Sequence, residues 1–214
     1  MAKRVGGSKN YLYLGTRGAE VTTGALVIGT WYKITAKGNN TALPATSVVG
    51  DVFKVNAALT LADGDKVIPF TLTKLAFVTN VPNSSSKEKY ENTVQTDDVK
   101  SYIEGDKAEK SGTINGYFIV EDSIIKLIQK RFNKVVDYSG GTVTFSETAV
   151  GVLDFFLGRN ETTVIGEVEC FEYLPSIVES LEMEKPMEGP QTFNFGYTVV
   201  GGECPSVHYR PITT

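Results

Sequence analysis

The sequence predicts a mainly β protein: two packed antiparallel sheets in a sandwich or barrel, one flanking α-helix and a small β-meander insert. Three observations carry this. Gly (21), Phe (11) and Tyr (10) are abundant in a chain of 214 residues, and apolar stretches are broken at short intervals by Gly, Asn and Asp, the rhythm of short strands and turns. TFNFGYTVV alternates with a period of two, Phe193, Phe195, Tyr197 and Val199 against Thr192, Asn194 and Thr198, as a half-buried strand requires. One segment alone has convincing helical spacing.

In chain order, a basic start, MAKRVGGSKN, runs into a short strand, YLYLG, with Leu12 and Leu14 facing one way and Tyr11 and Tyr13 the other. Residues 24–70 then change character. GTWYKITAKG, LPATSVVGDVFKV and DGDKVIPF alternate apolar residues with turns at Lys37–Asn40, Gly50–Asp51 and Asp63–Asp65, as a compact meander would. The expected organisation is therefore a main domain of residues 1–23 and 71–214 with an insertion at 24–70. Without the insert, YLYLG and LTKLAFVTNV could pair directly.

Leu72 to Val81 reads as a strand ended by Pro82, and Asn83-Ser84-Ser85-Ser86 has loop composition. Lys89 to Ile103 alternates strand-formers with charge. Ser111 to Val120 is a clean strand with Ile114, Phe118 and Val120 on one face. The stretch between Leu75 and Val120 is thus a polar arm bracketed by apolar ends. It has no core of its own, so it is either disordered or ordered by docking on other copies of the molecule.

EDSIIKLIQKRFNKVV, 121–136, places Ile124, Ile125, Ile128, Phe132 and Val135 on one helical stripe able to cover a sheet. Glu121 and Asp122 at its start, and Lys130, Arg131 and Lys134 towards its end, suit the helix dipole. Tyr138-Ser139-Gly140-Gly141 is the expected stop. After TVTFSETAV and VLDFFLG comes VIGEVECFEYL, with Val164, Val168 and Cys170 opposite Glu167 and Glu169. Between Glu161 and Glu188 there are acids at 161, 167, 169, 172, 179, 182, 184 and 188 against the single base Lys185, which predicts a locally acidic surface.

Composition narrows the function. A pI near 5.2 and a net charge of -4 argue against a nucleic-acid reader, which carries a basic face. MAKRVGGSKN leads into no signal-peptide apolar region, and AVGVLDFFL, the best apolar run, is short and holds Asp154; a soluble chain made in a cytoplasm is expected, with no membrane span. Cys170 and Cys204 make no disulfide framework. Cys204 and His208 have a spacing a metal could use, but zinc wants about four ligands, so a buried strand cysteine and an exposed tail are the expected reading, and no metal or cofactor is predicted.

A catalytic site is not expected either. The one histidine, His208, sits near the end after Gly201-Gly202, where a mobile tail could not hold a general base. No phosphate-cradling glycine pattern follows a strand. Asp97-Asp98 and Asp63-Asp65 sit in polar arm or turn sequence, where Asp is ordinary, and Asp63-Gly64-Asp65 lacks the later ligands of a calcium loop. No catalytic residue is named and the protein is expected not to be an enzyme.

The order of a strand, a long polar arm, TDDVKSYIEGDKAEKSGTINGYF, a single helix and two long C-terminal strands separated by a Pro-Glu-rich loop resembles the major tail tube proteins of long-tailed bacteriophages, part of a superfamily with secretion-tube proteins. The family's threonine-acid pair, glycine and small-x-x-G strand are matched by Thr96-Asp97-Asp98, Gly105 and Gly112 to Gly116. The likeness covers Leu72 to Gly202. Residues 24–70 depart from the smaller members and resemble modules of the pattern W/Y-Y-x-I, L-P, G-D-x-F that recur in phage structural proteins.

The resemblance implies a structural subunit of the virion tail, assembled in the host cytoplasm. Its hexameric rings would join their inner sheets into one continuous β-barrel and stack into a tube for DNA passage. Its partners would be itself, the terminator, tape measure and baseplate or tip proteins, and genomic DNA passing without sequence-specific binding. The inter-subunit arm would use Asn80, Lys87, Glu88, Lys89, Tyr90, Asn92, Gln95, Asp97 and Asp98. An acidic lumen at Glu167, Glu169 and Glu172 would repel phosphates. The alternatives are a tail terminator, a capsid decoration protein or a secretion-tube protein. From a different class comes a β-sandwich module binding a sugar or small molecule, with Trp31, Tyr32, Tyr11 and Tyr13 as its candidate platform.

Overall fold

The structure is a computed structural model that describes residues 10–75, 78–80, 83–91, 102–117, 123–132, 135–139, 141–146, 151–159, 168–184, 187–200 and 206–211. Its strands are β1 (Asn10–Arg17), β2 (Gly24–Ala25), β3 (Trp31–Ala36), β4 (Val52–Lys54), β5 (Thr60–Leu61), β6 (Lys66–Leu75), β7 (Val78–Asn80), β8 (Asn83–Glu91) and β9 (Tyr102–Tyr117). The helix α1 (Ser123–Phe132) follows, then β10 (Val135–Ser139), β11 (Thr142–Ser146), β12 (Leu153–Arg159), β13 (Val168–Glu184), β14 (Thr192–Val199) and β15 (Ser206–Pro211).

The chain is mainly β, as its sequence predicts, with one helix among the described residues. The strands build one large antiparallel sheet in the order β4-β3-β6-β1-β12-β13-β14-β9-β7, with β15 joined to β13 and β8 to β9, and two small sheets, β10-β11 and β2-β5. The large sheet is not closed into a barrel. It curls instead, and the curling makes its cores.

The first curl forms around residues of β1, β12, β13 and β14. Phe155 pairs with Leu174 of β13, while Phe195 pairs with Leu181 further along the same strand. On a straight strand those positions would be roughly 23 Å apart, yet the two rings lie 5.7 Å apart. β13 must therefore bend, and the register slips between Val178 and Ser180, where the backbone N–H of Gly196 donates to Ser180 Oγ at 3.1 Å. Such a bulge is the usual corner of a folded-over sheet. Inside the bend pack Leu12, Leu14, Leu75, Ile114, Phe155, Leu157, Leu174, Phe195 and Tyr197, with Ile124, Ile125 and Ile128 of α1 laid across them.

The second curl uses the opposite face. Trp31 of β3 lies 5.5 Å from Phe171 of β13, although three strands separate β3 from β13 in the sheet and a flat sheet would hold them roughly 19 Å apart. Trp31, Phe70, Phe156, Phe171 and Tyr173 form this core. β1, β12 and β13 are thus covered on both faces. Apolar runs such as FFL at 155–157, and FEYL at 171–174 but for Glu172, follow from that, since a strand buried twice loses its alternation.

A third cluster, Leu26, Tyr32, Ile34, Leu43, Val55, Leu61 and Val67, lies within the meander. YLYLG does pair with LTKL, from Leu12↔Leu75 to Gly15↔Leu72. Because β6 runs unbroken across position 70 and contributes to all three clusters through Val67, Phe70 and Leu75, residues 24–70 extend the main sheet rather than stand beside it.

Four local expectations are corrected. Asn83-Ser84-Ser85-Ser86 is strand β8, paired with β9, not loop. Val135 opens β10 instead of ending the helix stripe, and Gly141, with φ 79°, belongs to the turn of the β10-β11 hairpin. β13 continues through the supposed Pro-Glu-rich loop as far as Glu184. TFNFGYTVV is not the last strand, since β15 follows it along the same edge of β13.

Candidate functional site

The feature that distinguishes this surface is a two-stranded ribbon. β9 is 16 residues long; Ser111 to Tyr117 pair with β14, whereas Tyr102 to Lys110 pair only with β8 among the described strands. Register runs from Asn83↔Gly112 to Glu91↔Tyr102, with an irregularity that sets Glu88 against residues 105–107, Gly105 among them. Polar composition explains the form. Both strands are rich in charged and hydroxyl residues with little apolar mass, and each finds its hydrogen-bonding partner in the other.

At the root of the ribbon the sequence changes to fit the sheet. Gly112 and Gly116 stand opposite Tyr197 and Phe193, so small residues face large rings there, while Ile114 stands opposite Phe195 in the core. Lys110 forms an ion pair with Glu172 of β13, both side chains largely buried, which ties the ribbon root to the bent strand.

Of the nine predicted arm residues, Asn80 lies in β7 and Lys87, Glu88, Lys89 and Tyr90 lie in β8. Asn92, Gln95, Asp97 and Asp98 lie outside the described residues, as do Glu167, Cys204 and Thr96. The predicted lumen acids are placed differently from an open acidic wall: Glu169 is 9% and Glu172 4% exposed, and Lys54 Nζ stands 3.8 Å from Glu169 Oε2. The exposed carboxylates of β13 are Glu179, Glu182 and Glu184. Glu182 and Glu184 share a sheet face with their cross-strand partners Asn194 and Thr192, beside Asn115 and Tyr117 in a groove of about 390 Å³.

Two buried polar networks escaped sequence reasoning. Asp154, 4% exposed, accepts from Arg17 Nε at 2.7 Å and Nη2 at 2.9 Å, and from the hydroxyl of Tyr173 at 2.6 Å. Burial, then the hydrogen bond to Asp154, pushes the Tyr173 phenol well above its ordinary range, and the hydrogen bond to Asp154 raises the Arg17 guanidinium. A lone Asp inside the apolar run VLDFFL was the available signal, since a charge there needs a partner. Asp65, fully buried, accepts from the backbone N–H groups of Gly38 at 2.9 Å, Ala42 at 3.0 Å and Ala62 at 3.2 Å. Burial alone would raise its carboxyl; the hydrogen bonds from Thr41, Gly38, Ala42 and Ala62 outweigh that and hold it below the ordinary value. Its role is to staple two turns of the meander.

His208 is not on a loose tail. It pairs in register with Phe171, its Nε2 lies 2.7 Å from Ser206 Oγ, and it meets Trp31 edge-on. Burial pushes its imidazole below the ordinary value, with the charge of Asp51 acting the other way. Cys170 is buried, as expected. Among the described residues no group of three or more His, Cys, Asp or Glu side chains could hold a metal ion, and no helix is long and apolar enough to cross a membrane. Trp31 and Tyr32, at 4% exposure each, are core residues rather than an open platform.

These features define a class: a mainly β protein whose curled antiparallel sheet carries a β8-β9 ribbon that, over Tyr102–Lys110, pairs with no other described strand. No protein-family model matches the chain, and no curated protein matches it.

Proposed function

We propose that the chain is a non-enzymatic structural subunit of a phage tail tube, assembling through its ribbon into stacked rings around a channel for DNA. The observation that carries this reading is the β8-β9 ribbon. An isolated two-stranded hairpin is marginal in water, and strand edges left open are ready to pair with another chain. A neighbouring subunit supplies partners to the two ribbon edges, which over Tyr102–Lys110 pair with no other described strand. The order of strand, arm, helix and long C-terminal strands supports the same reading through the family resemblance.

In this arrangement the channel lining falls to Glu182 and Glu184, because Glu169 and Glu172 are already engaged by Lys54 and Lys110 within the chain. Exposed carboxylates repel a passing phosphate backbone. Terminator, tape measure and baseplate or tip proteins are the further partners, with assembly in the host cytoplasm and residence in the virion tail.

The test is electron microscopy of the purified chain at high concentration, with sedimentation alongside. Hollow tubes or closed rings are the expected result. A single monomer peak at every concentration, with no assembled particles, would overturn the reading.

A further inference from the structure

We propose that β15 is an acid-released strand: protonation of His208 detaches it from β13 while the rest of the large sheet stays folded. Among the described strands β15 pairs with β13 alone, from Val168↔Pro211 to Tyr173↔Ser206. Its side chains give it few further holds. Val207 is 49% and Tyr209 68% exposed, so of the side chains described at 206–209 it is His208, with Ser206 Oγ 2.7 Å from its Nε2, that turns into an aromatic core. There the imidazole meets the Trp31 ring at a centroid separation of 4.9 Å, with Phe171 as its cross-strand partner. The cluster beneath it, Trp31, Phe70, Phe156, Phe171 and Tyr173, is drawn from other strands and can persist when β15 leaves.

The anchor holds best while the ring is neutral, because a charge taken out of water costs free energy. The described charged groups on the elements around the ring are Lys33 of β3, Asp51 just before β4, Lys54 of β4 and Glu169 of β13, two cations against two carboxylates. The Tyr173 phenol, held well above its ordinary range, is neutral throughout. Burial holds the imidazole below its ordinary value, and the charge of Asp51, acting the other way, does not offset it. Once β15 is released, the ring stands in water and recovers a value near 6.5. Proton binding therefore favours the released strand. Attachment is at full strength above pH 6.5, and the ratio of released to attached strand rises below it by up to about tenfold per pH unit. Release bares the β13 edge from Val168 to Tyr173, and an edge without its ladder accepts a strand of another chain. This inference does not rest on the tube assembly, and its test uses unassembled protein.

Amide hydrogen exchange, expressed as protection factors so that the intrinsic effect of pH is removed, reads each strand separately. Between pH 7.5 and 5, protection at residues 206–210 should fall by up to about tenfold per unit below 6.5 and end below that of β1 and β12, which stay protected. Trp31 is the protein's one tryptophan, so its emission should change over the same pH range as it loses its imidazole neighbour. His208→Gln should leave both readings flat. The proposal is overturned if β15 keeps its protection at pH 5, or if β15, β1 and β12 lose protection to the same level, as in global unfolding. It is equally overturned if a folded His208→Gln variant shows the wild-type dependence. Should His208→Gln fail to fold, the comparison of β15 with β1 and β12 in the wild-type chain decides.

Discussion

Trp31 and His208 come from opposite ends of the chain and meet edge to face, ring centroids 4.9 Å apart at an interplanar angle of 81°. One sits on β3 and the other on β15, so this contact joins the meander to the last described strand across the second curl. Lys54, whose ammonium lies 5.9 Å from the Trp31 ring centre, and Glu169 of β13 add a charged link between the meander and the strand that β15 pairs with. Side chains thus hold the curl shut where no described strands are laddered together.

A pH dependence follows for His208. Its imidazole is held below the ordinary 6.5, chiefly by burial, so the unfolded chain binds the proton more readily than the folded one. Stability is then full above pH 6.5 and falls as pH drops below it, by no more than about 1.4 kcal/mol per pH unit for one proton. Chemical denaturation between pH 8 and 5.5 should show this slope, and His208→Asn should remove it. An unchanged slope in the variant would assign the effect to carboxylates.

Asp154 is the more costly site. Asp154→Ala leaves the Tyr173 hydroxyl and the Arg17 guanidinium without the carboxylate that both now use, a loss of about 3–5 kcal/mol. Tyr173→Phe removes one charge-assisted bond, about 1.5–3 kcal/mol, and leaves Arg17 in place. Equilibrium urea denaturation should rank the two in that order; equal costs would show that Arg17 contributes nothing.

Asp65 tests the staple. Asp65→Ala orphans the amide N–H groups of Gly38, Ala42 and Ala62 and should cost about 2–3 kcal/mol. Asp65→Asn keeps one acceptor oxygen and should cost less. Hydrogen exchange should show the loosening at residues 38–42 and 62, and protection unchanged there would refute the assignment.

For the ribbon, deletion of residues 83–93 removes β8, a strand of polar sequence (NSSSKEKYE) whose described partner is β9. The expected product is a folded monomer with a wild-type thermal transition that forms no rings or tubes. Normal assembly by the deletion would count against the ribbon as the joining element.

The sequence by itself determined the local choices. The alternation of Phe193, Phe195 and Tyr197 put those side chains inside, the spacing of Ile124, Ile125 and Ile128 made one helix, and Asp63-Gly64 made a turn, because each depends on neighbours two to four residues away. The tertiary structure decided what depends on distant partners. Whether Glu169 and Glu172 face water was fixed by Lys54 and Lys110, residues whose nearness no local pattern encodes. Whether His208 was tail or strand was decided by a vacant edge on β13, and whether residues 83–91 were loop or ladder by β9. Most of all, the two curls arise from one bent strand and from aromatic rings meeting across the sheet. A polar arm with no core of its own therefore takes its form from the strand that returns beside it.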